Sequence, residues 1–243
     1  MATLAEAQSA WAEWQRTLAL ATGGRVFTTH GCSWAWLPAR RRVVLLYPQR
    51  ADDAGLRPGL AEAGRLGAES VQVALNAAAD DSALRAFGFR EGPPMLWHTG
   101  SWRAGHGAWG GRARIGAPVP EASGPDALEV QAATAWQDAA RFRVPLRRVE
   151  HSVARTGEGA LVGRAFGQLT AAGDVSVQGL AVAASYRRRG VGSSLVRSLV
   201  DSLDGHDVVA GSGPGAGAFL TAGGLQLIGR GRRLHLPLPR RGG

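Results

Sequence analysis

The sequence predicts an α/β (α+β) fold built from two similar halves, and three observations carry that expectation. A strand-like run, Val175-Ser176-Val177-Gln178-Gly179-Leu180-Ala181-Val182, leads through a basic glycine turn into a helical pattern with Leu195, Leu199 and Leu203 at i, i+4 and i+8. A second strand, His206-Asp207-Val208-Val209-Ala210, is followed by Gly- and Ala-rich turns, Phe219, Gly224-Leu225 and a closing strand through Leu234 and Leu236. The same order echoes upstream: Val73 stands 15 residues before Gly88, as Val209 stands 15 before Gly224.

In chain order, Trp34 and Trp36 alternate in a strand and share one face. Their aromatic bulk either fills a core or lines an acceptor cleft, and packing is the commoner use. His30 and Cys32, two apart, would share a face in an extended segment, but no further His or Cys stands beside them to complete a metal site. Val43-Val44-Leu45-Leu46-Tyr47 reads as a strand, and the stretch from Leu56 to Glu69 as a helix with Leu60 and Leu66 inward. Val71-Gln72-Val73 is the next strand, and Gly88-Phe89 closes the block. From Leu96 to Leu128 the pattern loosens into Gly100, Gly105, Gly107, Gly110, Gly111, Pro118, Pro120 and Pro125, which marks a linker. The boundary is placed near residue 115, giving halves 1–115 and 116–243.

The turn between the strand at 175–182 and the following helix is Arg187-Arg188-Arg189-Gly190-Val191-Gly192. Backbone N–H groups in a helix's first turn lack intrahelical partners, and with the helix dipole they attract anions. Glycine lets that backbone approach a ligand closely. A strand, a basic glycine turn and a helix N-terminus together read as a pyrophosphate cradle. A rival phosphate motif, Gly211-Ser212-Gly213-Pro214-Gly215-Ala216, matches the dinucleotide fingerprint only formally: no Asp or Glu follows Asp207 to hold a ribose. No Lys-Ser/Thr follows the glycines as a Walker loop requires.

The run Arg-Arg-Arg-Gly-Val-Gly resembles the acyl-CoA signature of the GNAT superfamily of N-acetyltransferases, Q/R-x-x-G-x-G/A. Leu180, Val182 and Tyr186 match its approach strand, and Ala216, Phe219, Gly224 and Leu225 fall in register with its next block. The resemblance implies acetyl-CoA as acyl donor, with its pyrophosphate wrapped by Arg187, Arg188, Arg189, Gly190, Val191, Gly192 and Ser193. It also implies that the backbone of Leu180, Ala181 and Val182 pairs with the pantetheine arm. The fold implied is a central mixed, mostly antiparallel sheet flanked by helices. The N-terminal half is similar to a degenerate GNAT domain, so the chain reads as a tandem GNAT protein; the alternative is an unrelated α/β domain with coincident spacing. Where the C-terminal copy has its cradle, the N-terminal one has Ala51-Asp52-Asp53-Ala54-Gly55-Leu56, whose carboxylates would repel pyrophosphate. One cofactor site is expected, in 116–243.

Family members often use a Glu on the strand before the cradle as base and a Tyr in the A-x-x-F-Y helix as acid. Here the base position falls near Ser176 and the acid position on Leu220, which holds no proton. The Asn that often holds the CoA arm is replaced near Gly213. Asp174, sharing a face with Ser176 and Gln178, is the one candidate base there, though its place after Gly173 favours a turn residue. Glu129, Glu150, His151 and Tyr47 are further polar candidates.

Composition narrows the partners. The net charge is +9, yet all 28 basic residues are Arg and they are spread over both halves. With 35 Gly this is the coding bias of a GC-rich genome, not a nucleic-acid-binding arm. A positive surface would still speed capture of a polyanion such as CoA. Cys32 is the single cysteine, so an intrachain disulfide is excluded and no metal is expected. No apolar run approaches the ~20 residues that span a bilayer, and Met1-Ala2-Thr3-Leu4-Ala5-Glu6 lacks a basic signal region, so a cytoplasmic protein is expected. The expected activity is transfer of an acetyl group to a primary amine of a small molecule in a ternary complex. Alternatives are a protein lysine or N-terminal acetyltransferase and a non-catalytic acyl-CoA sensor. The N-terminal half would shape the acceptor cleft or a homodimer.

Overall fold

The computed structural model describes residues 2–48, 50–104, 112–115 and 149–239. The chain divides into two compact units, one of Met1–Trp11 with Trp97–Gly229 and one of Ala12–Leu96 with Arg230–Gly243. The units thus part at 11/12, 96/97 and 229/230, whereas the sequence predicts a single division near 115. The reason lies in the last strands of each half, which do not stay with the segments that precede them.

The chain opens with helix α1 (Leu4–Ala21). Its start is a capping box: the Thr3 N–H donates to Glu6 Oε2 at 2.7 Å and the Glu6 N–H donates to Thr3 Oγ1 at 3.3 Å.

In the unit that holds most of the N-terminal half, strands β1 (Arg25–Thr29), β2 (Cys32–Leu37) and β3 (Arg42–Leu46) form an antiparallel meander. Helix α2 (Asp53–Arg65) then crosses to β4 (Ser70–Asn76), which pairs parallel with β3. The helix starts three residues before the expected Leu56, because the Asp52 side chain caps it. Its buried residues are Gly55, Leu56, Gly59 and Ala63, with Leu60 and Leu66 packed at the core's margin. Gly59 is required by close approach: a Cβ there would stand 2.1 Å from the Trp34 ring. Trp34 is fully buried, stacks on Phe27 at 6.0 Å and donates its indole N–H to Thr29 Oγ1 at 2.7 Å. It is a core residue. A short helix α3 (Ser82–Ala86) and a two-residue strand β5 (Arg90–Glu91) follow.

The other unit repeats that plan. Strand β6 (Met95–Gly100) enters it at Trp97 and neighbours β11 in the sheet. Strands β7 (Arg112–Ile115), β8 (Val149–Arg155), β9 (Leu161–Leu169) and β10 (Val175–Val182) run antiparallel in sequence. Helix α4 (Val191–Leu203) crosses to β11 (Val208–Ser212), parallel to β10. Helix α5 (Gly217–Ala222) leads into β12 (Gln226–Pro237). The later part of β12, from Gly231 to Pro237, belongs to the same unit as β4 and pairs antiparallel with it. Both units therefore share one order: antiparallel pairings (two in one unit, three in the other), a helical crossover to a parallel strand, then a short helix ending at a positive-φ glycine, Gly88 and Gly224, with a buried apolar residue after it, Phe89 and Leu225. This is the predicted α/β class, with two GNAT-like domains.

Helix α4 fixes the core of its unit. Leu195, Leu199 and Leu203 are completely buried, and each such side chain contributes roughly 1.5–3 kcal/mol of burial. β9 receives them through small residues: a Cβ on Gly163 would meet Val191 and Leu195, and one on Gly167 would meet Leu203 and Leu199. This glycine groove sets the position of the helix N-terminus. Among the described residues no helix is long and apolar enough to cross a membrane.

Candidate cofactor site

The site begins where two strands separate. β10 and β11 are paired from Val175↔Val208 to Val177↔Ala210, but β10 continues to Val182 and β11 to Ser212. The separation follows from a bulge: the pairing of β10 with β9 shifts register between Gln178 and Ala181, and Gly179 lies at φ 57. A β-bulge adds a residue, bends the strand and re-aims its backbone. Past it, Ala181 and Val182 stay bonded on one side to Arg164 and Gly163 of β9. Their other edge faces the opening. An extended amide-bearing chain can add to such an edge as a further strand would.

At the end of β10 a helical turn over Ala184–Tyr186 carries the chain into the three arginines. Arg187 is extended and its Nε donates to the Val182 carbonyl at 3.0 Å, tying the turn back to the strand. Arg188 sits at φ 62, a left-handed conformation that costs a non-glycine residue about 1–3 kcal/mol. Arg189 lies over the Tyr186 ring, 5.5 Å from its centroid. All three are exposed, and among the described residues none pairs with a carboxylate.

Gly190 is the N-cap of α4 at φ 87, with no side-chain hydrogen bond to the helix. The Ser194 N–H closes the first helical bond onto the Gly190 carbonyl at 3.0 Å. The N–H groups of Val191, Gly192 and Ser193 are therefore left for an outside acceptor. Gly192 is held to its size by Phe219 of α5, whose ring carbons lie 3.2 and 3.3 Å from a would-be Cβ. Leu180, Ala181 and Val182 lie on the strand edge, and residues 187–193 form the turn and helix start that follow it. The free strand edge, the uncapped helix and the positive arginines fit a pantetheine amide chain ending in a pyrophosphate.

The opposite wall comes from β11 and the turn after it. Gly213 and Gly215 have open space where a Cβ would be, and the enclosed Ser212 hydroxyl has no hydrogen-bond partner among the described residues. Leu220, at the family's acid position, is buried in the core of the unit. Asp174 stands in the β9–β10 hairpin: its N–H donates to Thr170 Oγ1 at 3.1 Å and its carbonyl accepts from the Thr170 N–H at 2.8 Å. It precedes β10, eight residues from Val182, or roughly 26 Å of extended chain. Burial and the neighbouring Asp207 carboxylate raise its pKa. The structure does not bring Asp174 to the cradle, because it belongs to the turn at the other end of the strand.

Of the further polar candidates, Glu129 lies outside the described residues. Glu150 is half-buried on β8, opposite Gly167. Tyr47 follows β3 in the other unit, at φ 39, where burial holds its phenol far above the usual range. His151 is buried on β8 and stacks on Phe166 at 4.6 Å. Among the described residues no group of three or more His, Cys, Asp or Glu converges to hold a metal ion.

The equivalent place in the first unit is closed twice over. β3 and β4 stay paired along all of β3, from Arg42↔Ser70 to Leu46↔Ala74, so no edge opens. The Asp52 carboxylate takes the Gly55 N–H at the start of α2, and Asp53 pairs with Arg57.

A bulged strand thus parts from its parallel neighbour beside a glycine-capped helix, leaving an open strand edge next to an uncapped helix N-terminus. Residues 123–210 match the sequence profile of the acetyltransferase (GNAT) family. The fold is similar to that of a GCN5-related N-acetyltransferase from Kribbella flavida, at 18% identity over 100% of this chain and 98% of that one, with a TM-score of 0.59. It is also similar to a tandem GNAT protein from the clavulanic acid biosynthesis pathway, at 15% identity, 96% and 95% coverage and a TM-score of 0.56. A functionally unknown conserved protein from Staphylococcus epidermidis shares the fold at 12% identity, 89% and 95% coverage and a TM-score of 0.59. No curated protein sequence matches the chain.

Proposed function

We propose that the protein is an acetyl-CoA-dependent N-acetyltransferase that acetylates a primary amine of a small molecule by direct transfer in a ternary complex. The observation that carries this reading is the parting of β10 from β11 after Val177↔Ala210, next to the uncapped N-terminus of α4 at Gly190. Residues 180–182 would hold the pantetheine arm, and the first-turn N–H groups with Arg187, Arg188 and Arg189 would hold the pyrophosphate. Bound there, the thioester supplies an activated acyl group. The chain's own part is to position that group beside the amine, which by itself supplies a large share of the barrier reduction. Backbone N–H groups at the bulge are suited to meet the oxyanion. A cytoplasmic location and a homodimer are consistent with this reading.

Titration calorimetry with acetyl-CoA, followed by a thiol-release screen across amines, tests the proposal. Binding with turnover is expected; no binding to the chain would overturn it. One observation favours a second reading, a non-catalytic acyl-CoA sensor: Leu220 is buried where an acid would stand. Binding without turnover on small-molecule or peptide amines would select the sensor. Turnover confined to peptides would select a protein acetyltransferase.

A further inference from the structure

The wall of the cleft formed by the end of β11 and the turn after it carries a single polar side chain. From Gly211 to Phe219 the chain reads Gly-Ser-Gly-Pro-Gly-Ala-Gly-Ala-Phe, so Ser212 is the residue there whose side chain can donate or accept a hydrogen bond. Val208 and Ala210 belong to the core under α4. Strand alternation sends Ser212, two residues on, to that same face. Gly211 between them faces the Trp97 ring instead, 2.8 Å from where its Cβ would stand.

Ser212 also lies at the open end of the sheet. Val177 and Ala210 are the last paired residues of the two parallel strands, so Ser212 stands where β11 no longer has β10 as its neighbour. Helix α4 begins after β10 ends and runs back toward the start of β11. Its N-terminus at Gly190 is therefore at the end of the sheet where the strands part, on the face to which Ser212 points.

The hydroxyl is not spent on the fold. Ser212 is half-buried and its Oγ is enclosed, yet among the described residues nothing bonds to it. Ser176 on β10 shows the contrast, since its Oγ accepts from Gln178 Nε2 at 3.0 Å. Enclosed hydroxyls in folded proteins are normally paired. The turn beside this one has room for a partner, because no atom lies within 4 Å of a would-be Cβ on Gly213 or Gly215.

An amide chain running from the free edge of Ala181 and Val182 to the first turn of α4 rises on this face and passes β11. Held on one side by the β10 backbone, it turns its remaining amide groups toward β11. A hydroxyl can donate to an amide carbonyl or accept from an amide N–H.

We propose that Ser212 is a cofactor-contact residue whose hydroxyl hydrogen-bonds an amide of the pantetheine arm. This rests on the acyl-CoA reading above and adds to it the side chain that grips the arm from the β11 wall.

The test titrates the full chain by calorimetry with acetyl-CoA and, as a competitor of acetyl-CoA, with 3′-phosphoadenosine 5′-diphosphate, the nucleotide end of CoA without the arm. A net hydrogen bond between neutral groups is worth several-fold in affinity. Ser212→Ala is expected to weaken acetyl-CoA about fivefold and to leave the armless nucleotide within twofold. The Tm of the unliganded protein should not fall, because the hydroxyl removed has no partner in the fold. Acetyl-CoA affinity within twofold of the unsubstituted protein, an equal loss on both ligands, or a loss accompanied by a lower Tm overturns the inference. Failure of the underlying reading is distinguishable, since it would show as no acetyl-CoA binding by the unsubstituted protein.

Discussion

Asp52 Oδ1 accepts a hydrogen bond from the Gly55 N–H at 3.0 Å, occupying at the first turn of α2 the place that Gly190 leaves open at the first turn of α4. The two helices follow the same crossover in two similar units, and at the N-cap an aspartate takes a first-turn N–H in one where a glycine leaves it open in the other. In the first unit the carboxylate of the chain itself plays the anion's part.

Removing that cap should cost stability without creating a site. Asp52→Ala is expected to lower stability by about 1 kcal/mol, the usual cost of losing an N-cap. Acetyl-CoA stoichiometry should stay unchanged, because β3 and β4 remain paired to Leu46↔Ala74 and offer no free edge. Urea unfolding and calorimetric stoichiometry check the two halves of this statement. A second binding event in the variant would show that the cap alone had closed the site.

The converse change should close the open site. Gly190 stands at φ 87, so Gly190→Ala strains the turn by about 1–2 kcal/mol and should weaken acetyl-CoA several-fold. Gly190→Asp adds the strain, a self-capping carboxylate and charge repulsion, and should weaken it at least tenfold more. Equal effects of Ala and Asp in calorimetry would mean that the helix N-terminus does not face the pyrophosphate.

Much of this arrangement was legible because it rests on local chemistry. The strand at Val175–Val182 has the bounds read from its apolar run, and the helix after it shows the Leu195, Leu199, Leu203 spacing. The repeat was legible from the equal spacing of Val73 to Gly88 and Val209 to Gly224. Two things were not. The pairing of Gly231–Pro237 with β4 is a non-local choice between edges, and composition carries no register between distant strands. The enclosure of His151 depends on its stack with Phe166 across a strand boundary, which a lone histidine in sequence does not announce. Helix α1 was legible in principle, since Thr3 and Glu6 form a capping box, but its face mixes Gln8, Gln15 and Thr17 among the buried residues and blurs the period.

Asp174 offers a check on the division between turn and site. Its pKa is raised by burial and by Asp207, so above the pKa of both states its charge opposes folding. Asp174→Asn should therefore raise Tm at neutral pH. The gain should shrink as pH falls through the carboxylate range, where Asp174 is itself protonated. Acetyl-CoA affinity should not change, since the residue lies at the far end of β10 from the cradle. A loss of affinity or turnover without a loss of stability would place Asp174 in the chemistry.

His151 makes a pH prediction of opposite slope. Its pKa is lowered from 6.5 to about 4, first by burial and then by Arg164. The unfolded chain takes up the proton near pH 6.5, while the folded chain refuses it until about pH 4. Between those values the unfolded state binds more protons, so stability falls as pH falls, and the dependence ends below pH 4. Each pKa unit corresponds to about 1.4 kcal/mol, which puts the whole change at about 3 kcal/mol. His151→Phe removes the proton site while keeping the ring stack, so the variant's stability should hold flatter over that window. Urea unfolding of both proteins at several pH values reads the difference directly, and because other groups titrate identically in the two, their contributions cancel. Parallel curves from neutral pH down to pH 4 would mean that the folded imidazole accepts its proton as an exposed one does, which an enclosed ring stacked on Phe166 beneath Arg164 should not allow.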